Sequence, residues 1–177
     1  QKQGAKRDER ARRVKPQEVQ RGEDDLVADV EGYSKAGHWR LDYPDDIAVA
    51  DDVKNLLTVL SQGIERAKAL EAGHSPWAFA TGRRMHGMYS ALDGSVQPYE
   101  VIVPENFDAA KPARLYVWLH GRAQRLTEAN FLFGMHSPNP SSTAYPANEG
   151  QLQLNVFARS NNGYHWAAET DVFEAIA

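Results

Sequence analysis

The 177-residue chain contains no cysteine. That removes disulfides, thiolate metal sites and cysteine nucleophiles from its chemistry, and leaves the redox compartment open. No window approaches the ~20 consecutive apolar residues of a membrane-spanning helix, so no membrane span is expected. No leader peptide is visible, and the chain starts at Gln1 rather than Met. A removed leader is one explanation of that start and would favour a secreted or periplasmic setting over a cytoplasmic one; a sequence cut from a longer chain is the other. Also missing are the GxxxxGK[ST] and GxGxxG nucleotide cradles, the HExxH zinc motif and the GxSxG nucleophile elbow. The six histidines (38, 74, 86, 120, 136 and 165) include no i, i+4 pair. They read as hydrogen-bonded or solvated side chains, and neither a metal nor another cofactor is expected.

What is present suffices for a packed core: 42% apolar residues and four tryptophans. The net charge of −4 hides an asymmetry, because residues 1–21 carry eight Lys/Arg against three Asp/Glu. The other 156 residues hold 12 basic and 21 acidic side chains, a net of −9. The basic stretch has no aromatic side chain to stack on bases, so residues 1–21 are expected to be a disordered, solvated arm, with no nucleic-acid partner. No internal repeat is present.

Residues 22–80 read as a helical segment. Leu26, Val27, Val30 and Tyr33 recur at helical spacing behind an acidic first turn. Pro44 and Asp45 are expected to open a second, longer helix with Val49, Val53, Leu56, Leu57, Leu60, Ile64, Ala67 and Leu70 along one face. Gly73 suits the residue just past its end. This stripe is expected to pack on the rest of the fold, so that Leu57→Asp would lower the melting temperature by many degrees.

From Gly87 the texture turns to strands. "GMYSALDGSVQPYEVIVP" reads as two extended runs around an Asp93-Gly94 turn, with Pro98 better suited to an edge strand than a central one. "RLYVWLHGR" follows: an apolar run at every position from Leu115 to Leu119, stopped by His120-Gly121-Arg122. Such a run suits a strand covered on both faces, delivering a glycine turn to the carboxyl edge of the sheet. A short helix capped by Thr127, a Pro/Ser/Asn loop over 134–150, a strand in "LQLNVFAR" and a helix in "AAETDVFEAIA" complete the pattern. The fold class is therefore α/β.

The word order "DGSVQPYEVIVPENFDAAKPARLYVWLHGR", with "NGYHWAAETDVFEAI" further on, resembles secreted esterases and the prolyl-oligopeptidase-like branch of the α/β-hydrolases. The resemblance spans residues 87–177. It implies the N-terminal part of a hydrolase sheet, acting on a peptide or ester substrate through a serine nucleophile, a histidine base and an acid. It also implies that the loop after the third strand supplies one side of the oxyanion hole, which puts His120, Gly121, Arg122 and Ala123 at that site. Arg122 and Ala123 match the positions whose backbone N–H groups would face the oxyanion. No catalytic residue carries over, since no serine has glycine at both −2 and +2. The resemblance places the triad beyond Ala177, in a C-terminal remainder of the same domain that would be this segment's closest partner. The alternative is a non-catalytic scaffold whose residues 22–73 bind another molecule.

Overall fold

The computed structural model describes residues 21–47, 49–123, 125–134 and 151–177. The arm over 1–20 and the loop over 135–150, with His136, lie outside the described residues. Helix α1 spans Glu23–Asp42. Its first turn carries Glu23, Asp24 and Asp25, and the Gly22 N–H donates to the Asp25 carboxylate at 3.2 Å. Acids there complement the helix dipole and take up a donor the helix leaves unbonded. Pro44–Asp46 form a separate 3₁₀ turn rather than the start of the second helix. Helix α2 runs over Ala50–Glu71, because the extended Val49 is the capping position and its N–H donates to Asp52 at 3.1 Å. Its far end closes with Gly73 at φ +78°, Gly73 N–H to Leu70 C=O (2.9 Å) and His74 N–H to Ala69 C=O (2.8 Å). This is the left-handed glycine cap that the sequence suggests.

Strands β1 (Gly82–Tyr89) and β2 (Val96–Val103) form the expected hairpin, although β1 begins at Gly82 rather than Gly87, in register from Gly82↔Val103 to Tyr89↔Val96. Gly94 in its turn has φ +70°. Strand β3 is Arg114–Trp118, α3 is Glu128–Gly134, β4 is Gln151–Val156 and α4 is Ala167–Ile176. The sheet order is β1-β2-β4-β3, with β4 antiparallel to β2 and parallel to β3. One face carries α1, which covers Met85; α3 adds Ala129 and Leu132 to that core. On the opposite face Ala168 of α4 packs on Leu154 and Val156. The chain thus forms a mixed α/β layer structure, with no helix long and apolar enough to cross a membrane among the described residues.

Three readings need correction. Strand β3 is not covered on both faces: Leu115, Tyr116 and Val117 are 42%, 52% and 37% exposed. It is an edge strand, and the helices cover its neighbours instead. Pro98 is fully buried in β2, which lies between β1 and β4. It is tolerated because the β4 ladder ends at Tyr99↔Val156, so only the Pro98 carbonyl is used, accepting from the Phe157 N–H at 3.2 Å. The apolar stripe of α2 is split: Val49, Val53, Leu57 and Ile64 are exposed, whereas Leu56 packs against the core and Leu60 against Gly37 of α1. The face that α2 turns inward carries Asp52, Val59, Gly63 and Arg66. Gly63 is required there, since a Cβ would lie 2.5 Å from the Tyr33 Cβ.

That inward face meets a buried polar cluster centred on Asp29 of α1, which is 2% exposed. Its carboxylate accepts from Arg21 (2.8 and 3.0 Å), from the Trp77 indole N–H (2.9 Å) and from the Gly87 N–H of β1 (2.7 Å). Arg21, at the boundary of the basic arm, is therefore held rather than solvated. Arg66 donates to the Met85 carbonyl at 2.8 Å and lies over the rings of Tyr33 and Trp77. The His86 Nδ1 sits 3.2 Å from the Asp29 carboxylate, and burial pushes its imidazole below the usual value.

Two outcomes follow from this packing. Leu57→Asp should leave the melting temperature of dilute protein nearly unchanged, whereas Val59→Asp, at a fully buried position, should lower it by many degrees in a thermal scan. The depressed His86 means that the unfolded chain binds a proton the fold resists. Stability is therefore fully present above pH 6.5, the imidazole's ordinary value, and declines as the pH falls below it. The slope should reach up to about 1.4 kcal/mol per pH unit. Urea titrations at pH 5 and 7.5 should show the decline, and His86→Gln should flatten it.

Candidate functional site

Parallel neighbours β3 and β4 end on the same edge, so the loop after β3 and the segment after β4 meet there. A cleft of about 540 Å³ opens beside them, walled by Lys35 and Trp39 of α1, Leu126 and Thr127 before α3, and Phe157, Arg159, Ser160 and Asn161 after β4. Thr127 caps α3 as expected, accepting from the Asn130 N–H at 3.3 Å. Its hydroxyl also accepts from Arg40 of α1 at 2.8 Å, and Lys35 pairs with Glu128 at 3.1 Å. Burial pushes the Glu128 carboxyl up, and the Lys35 ammonium counters it.

The segment after β4 is strained. Ala158, Arg159 and Ser160 follow one another at φ +49°, +56° and +74°, and Tyr164 and Trp166 lie at +58° and +53°. Each such non-glycine residue costs on the order of 1–3 kcal/mol and persists only where its surroundings over-determine it. Here they do. Arg159 donates to both oxygens of the fully buried Asp171 of α4 (2.9 and 3.1 Å), to Asp93 in the hairpin turn (2.5 Å) and to Ser90 (3.0 Å). The guanidinium holds the exposed Asp93 carboxyl well below the usual carboxylate range, and Ser95 adds to the effect. Ser160 Oγ donates to the Leu126 carbonyl at 2.6 Å.

This segment in turn grips the loop after β3. The Asn161 side chain accepts from the Ala123 N–H at 3.0 Å and donates to the Ala123 carbonyl at 2.7 Å. Tyr164 Oη accepts from the His120 N–H at 2.8 Å, and burial pushes its phenol up to about 12. The His120 ring spans the gap as well, with Nε2 3.0 Å from the Phe157 carbonyl and Nδ1 3.1 Å from the Gly121 carbonyl.

The four residues expected at the oxyanion site therefore share one loop but differ in availability. The N–H groups of His120 and Ala123 are taken by Tyr164 and Asn161. Those of Gly121 and Arg122 make no hydrogen bond within the described residues, and both residues are exposed. Gly121 lacks a left-handed φ, and a Cβ there would meet nothing within 4 Å, so the loop does not depend on a glycine turn at this position. Among the described residues the one serine hydroxyl close to a histidine ring is Ser34, 3.5 Å from His38 on the next turn of α1. No group of three metal-ligating side chains occurs among those residues. No protein-family model, curated protein or solved structure matches the chain.

Sequence reasoning missed Arg159, Asn161 and Tyr164. The "RSNNGY" string does carry a signal, since Asn and Gly favour the left-handed backbone found here. If Asn161 and Tyr164 hold the loop, Asn161→Ala should speed amide exchange at Ala123, and Tyr164→Phe should do so at His120. One hydrogen bond's net worth corresponds to roughly 3- to 10-fold, readable by NMR-detected exchange.

Proposed function

We propose that this chain is the N-terminal portion of a serine hydrolase, a peptidase or carboxylic-ester hydrolase, and supplies one side of its oxyanion hole. The observation that carries the reading is the pair of adjacent unbonded N–H groups at Gly121 and Arg122, on a loop clamped on both sides at the carboxyl edge of a parallel strand pair. Acyl transfer builds negative charge on the carbonyl oxygen in the tetrahedral intermediate. Donors that are already oriented stabilise that charge without reorganising. A third strand followed by a loop and then a helix is also where the hydrolase pattern places such a donor.

The chain's own contribution is then positioning. Asn161 and Tyr164 fix the loop, Ser160 and Arg159 fix the segment that carries them, and the Arg122 backbone faces the substrate oxygen. The Arg122 guanidinium has no assigned part in the step. The serine that attacks, the histidine that takes its proton and the acid that orients the histidine belong, on this reading, to chain beyond Ala177.

A fluorophosphonate probe should leave the 177-residue chain unlabelled and should label one serine in the product of the longer reading frame. Labelling of the short chain would remove the proposal, and so would a longer product that does not react. In the longer protein, Arg122→Ala should keep most of the turnover number. Arg122→Pro, which deletes the N–H, should lower it on the order of 10²-fold. The reverse ranking would assign the work to the guanidinium instead.

A further inference from the structure

We infer that α2 is a dimerisation helix, its outward face pairing antiparallel with the same face of a second copy of this chain. The inference is independent of the hydrolase reading. Val53, Leu57 and Ile64 are 42%, 59% and 55% exposed, although the inward face of α2 already provides its packing on α1 and α3. With the exposed Ala67, and with the half-buried Leu60 at the border where it also packs on Gly37 of α1, they stand at positions 53, 57, 60, 64 and 67, the alternating four-and-three spacing of a helix–helix seam.

The charges beside that seam select the partner and its direction. Asp51 and Lys54 form one exposed ion pair and Glu65 and Lys68 another, both at 3.1 Å. The two pairs lie fourteen residues apart with the same polarity. In a parallel, in-register pair, the flank carrying these residues would meet the opposite flank of the partner, so neither ion pair would gain a contact across the seam. Antiparallel packing with Leu57 against Leu60 and Val53 against Ile64 brings Asp51 beside Lys68 and Lys54 beside Glu65. A two-fold axis repeats both contacts, as a self-complementary interface requires.

The helix ends fit each other as well. At the C-terminal end, Val27, Val30, Ala67 and Leu70 border an open apolar groove of about 430 Å³. At the N-terminal end, Ile47 and Val49 protrude, 36% and 45% exposed. Antiparallel pairing brings the N-terminal end of α2 in one copy, with the Ile47 and Val49 that precede it, toward the end of the other copy where this groove lies. A 22-residue helix is about 33 Å long, and one such face falls at the small end of stable interfaces, so the dimer should be reversible and concentration-dependent.

Sedimentation of the 177-residue chain from about 1 to 300 μM should show a monomer–dimer equilibrium. Leu57→Asp/Ile64→Asp should remain monomeric throughout, with an unchanged far-UV circular dichroism spectrum because both positions are exposed. Tyr116→Lys, on the exposed β3 strand, should leave the dimer intact. Lys54→Glu/Lys68→Glu should weaken association at least 10-fold, and adding Asp51→Lys/Glu65→Lys should restore it. Since the chain has no cysteine, a spin label on Ser61→Cys can report its own distance across the axis, which should be short; one on Glu71→Cys should report a long distance. A monomer at every concentration would overturn the inference. So would a dimer insensitive to the Leu57/Ile64 double variant, a charge reversal without rescue, or a short distance at Glu71.

Discussion

One buried carboxylate organises the N-terminal half of this protein. Asp29 receives a guanidinium, an indole N–H and the backbone N–H of Gly87, and so joins α1, the segment after α2 and the edge of β1 in one cluster. The contact is close enough to dictate sequence, because a Cβ on Gly87 would lie 2.2 Å from the Ala28 carbonyl oxygen. A charge taken from water must be repaid in hydrogen bonds, and Asp29 is. The arrangement also solves a problem of the sheet. β1 is an edge strand, and Asp29 of α1 takes up the Gly87 N–H, one of the groups that would otherwise be open to further pairing.

Arg159 performs the corresponding task at the other end of the sheet. It reaches Asp171 of α4, Asp93 and Ser90 of the hairpin from a backbone held left-handed. The first cluster sets helices on the sheet. The second sets the segment after β4, which then positions the loop after β3. Between them a ladder of Arg83, Glu100, Asn155 and Gln153 crosses the strands, with Arg83 on Glu100 at 2.6 Å and Gln153 on Asn155 at 2.9 Å. Polar contacts, more than apolar area, thus decide where the strand ends lie.

This explains which parts of the fold could be read from sequence. The hairpin was legible from Asp93-Gly94, the end of α2 from Gly73 and the start of α3 from Thr127, because each signal is local backbone chemistry. The orientation of α2 was not. Apolar periodicity selects the stripe through Val53, Leu57 and Ile64, yet the buried side carries Asp52 and Arg66, whose partners lie in α1, β1 and the loop after β3. A pattern rule counts those residues as solvent-facing and so rotates the expected buried face away from them, whereas of the stripe it selects Leu56 and Leu60 pack against the fold. The run at Leu115–Leu119 misled in the opposite sense, since periodicity reports what a strand is suited to bury and not what its neighbours cover. At the candidate site the loop was legible as a strand end with glycine. Its clamp was not, because Asn161 and Tyr164 act across about forty residues of sequence.

The way that clamp is distributed bears on the chemistry. A loop at the carboxyl edge of a sheet lies in water, so apolar burial cannot orient it, and side-chain hydrogen bonds must. Four successive N–H groups run from His120 to Ala123. The outer two are bonded by Tyr164 and Asn161, and the inner two are left to solvent. Tying down the outer pair, with the unfavourable φ angles of Ala158 to Ser160 offset by Arg159 and Ser160, leaves two neighbouring donors oriented and unused. On the proposed hydrolase reading, that is what an oxyanion would need of the loop: donors held in place before the charge appears, whose solvent bonds the substrate oxygen can replace.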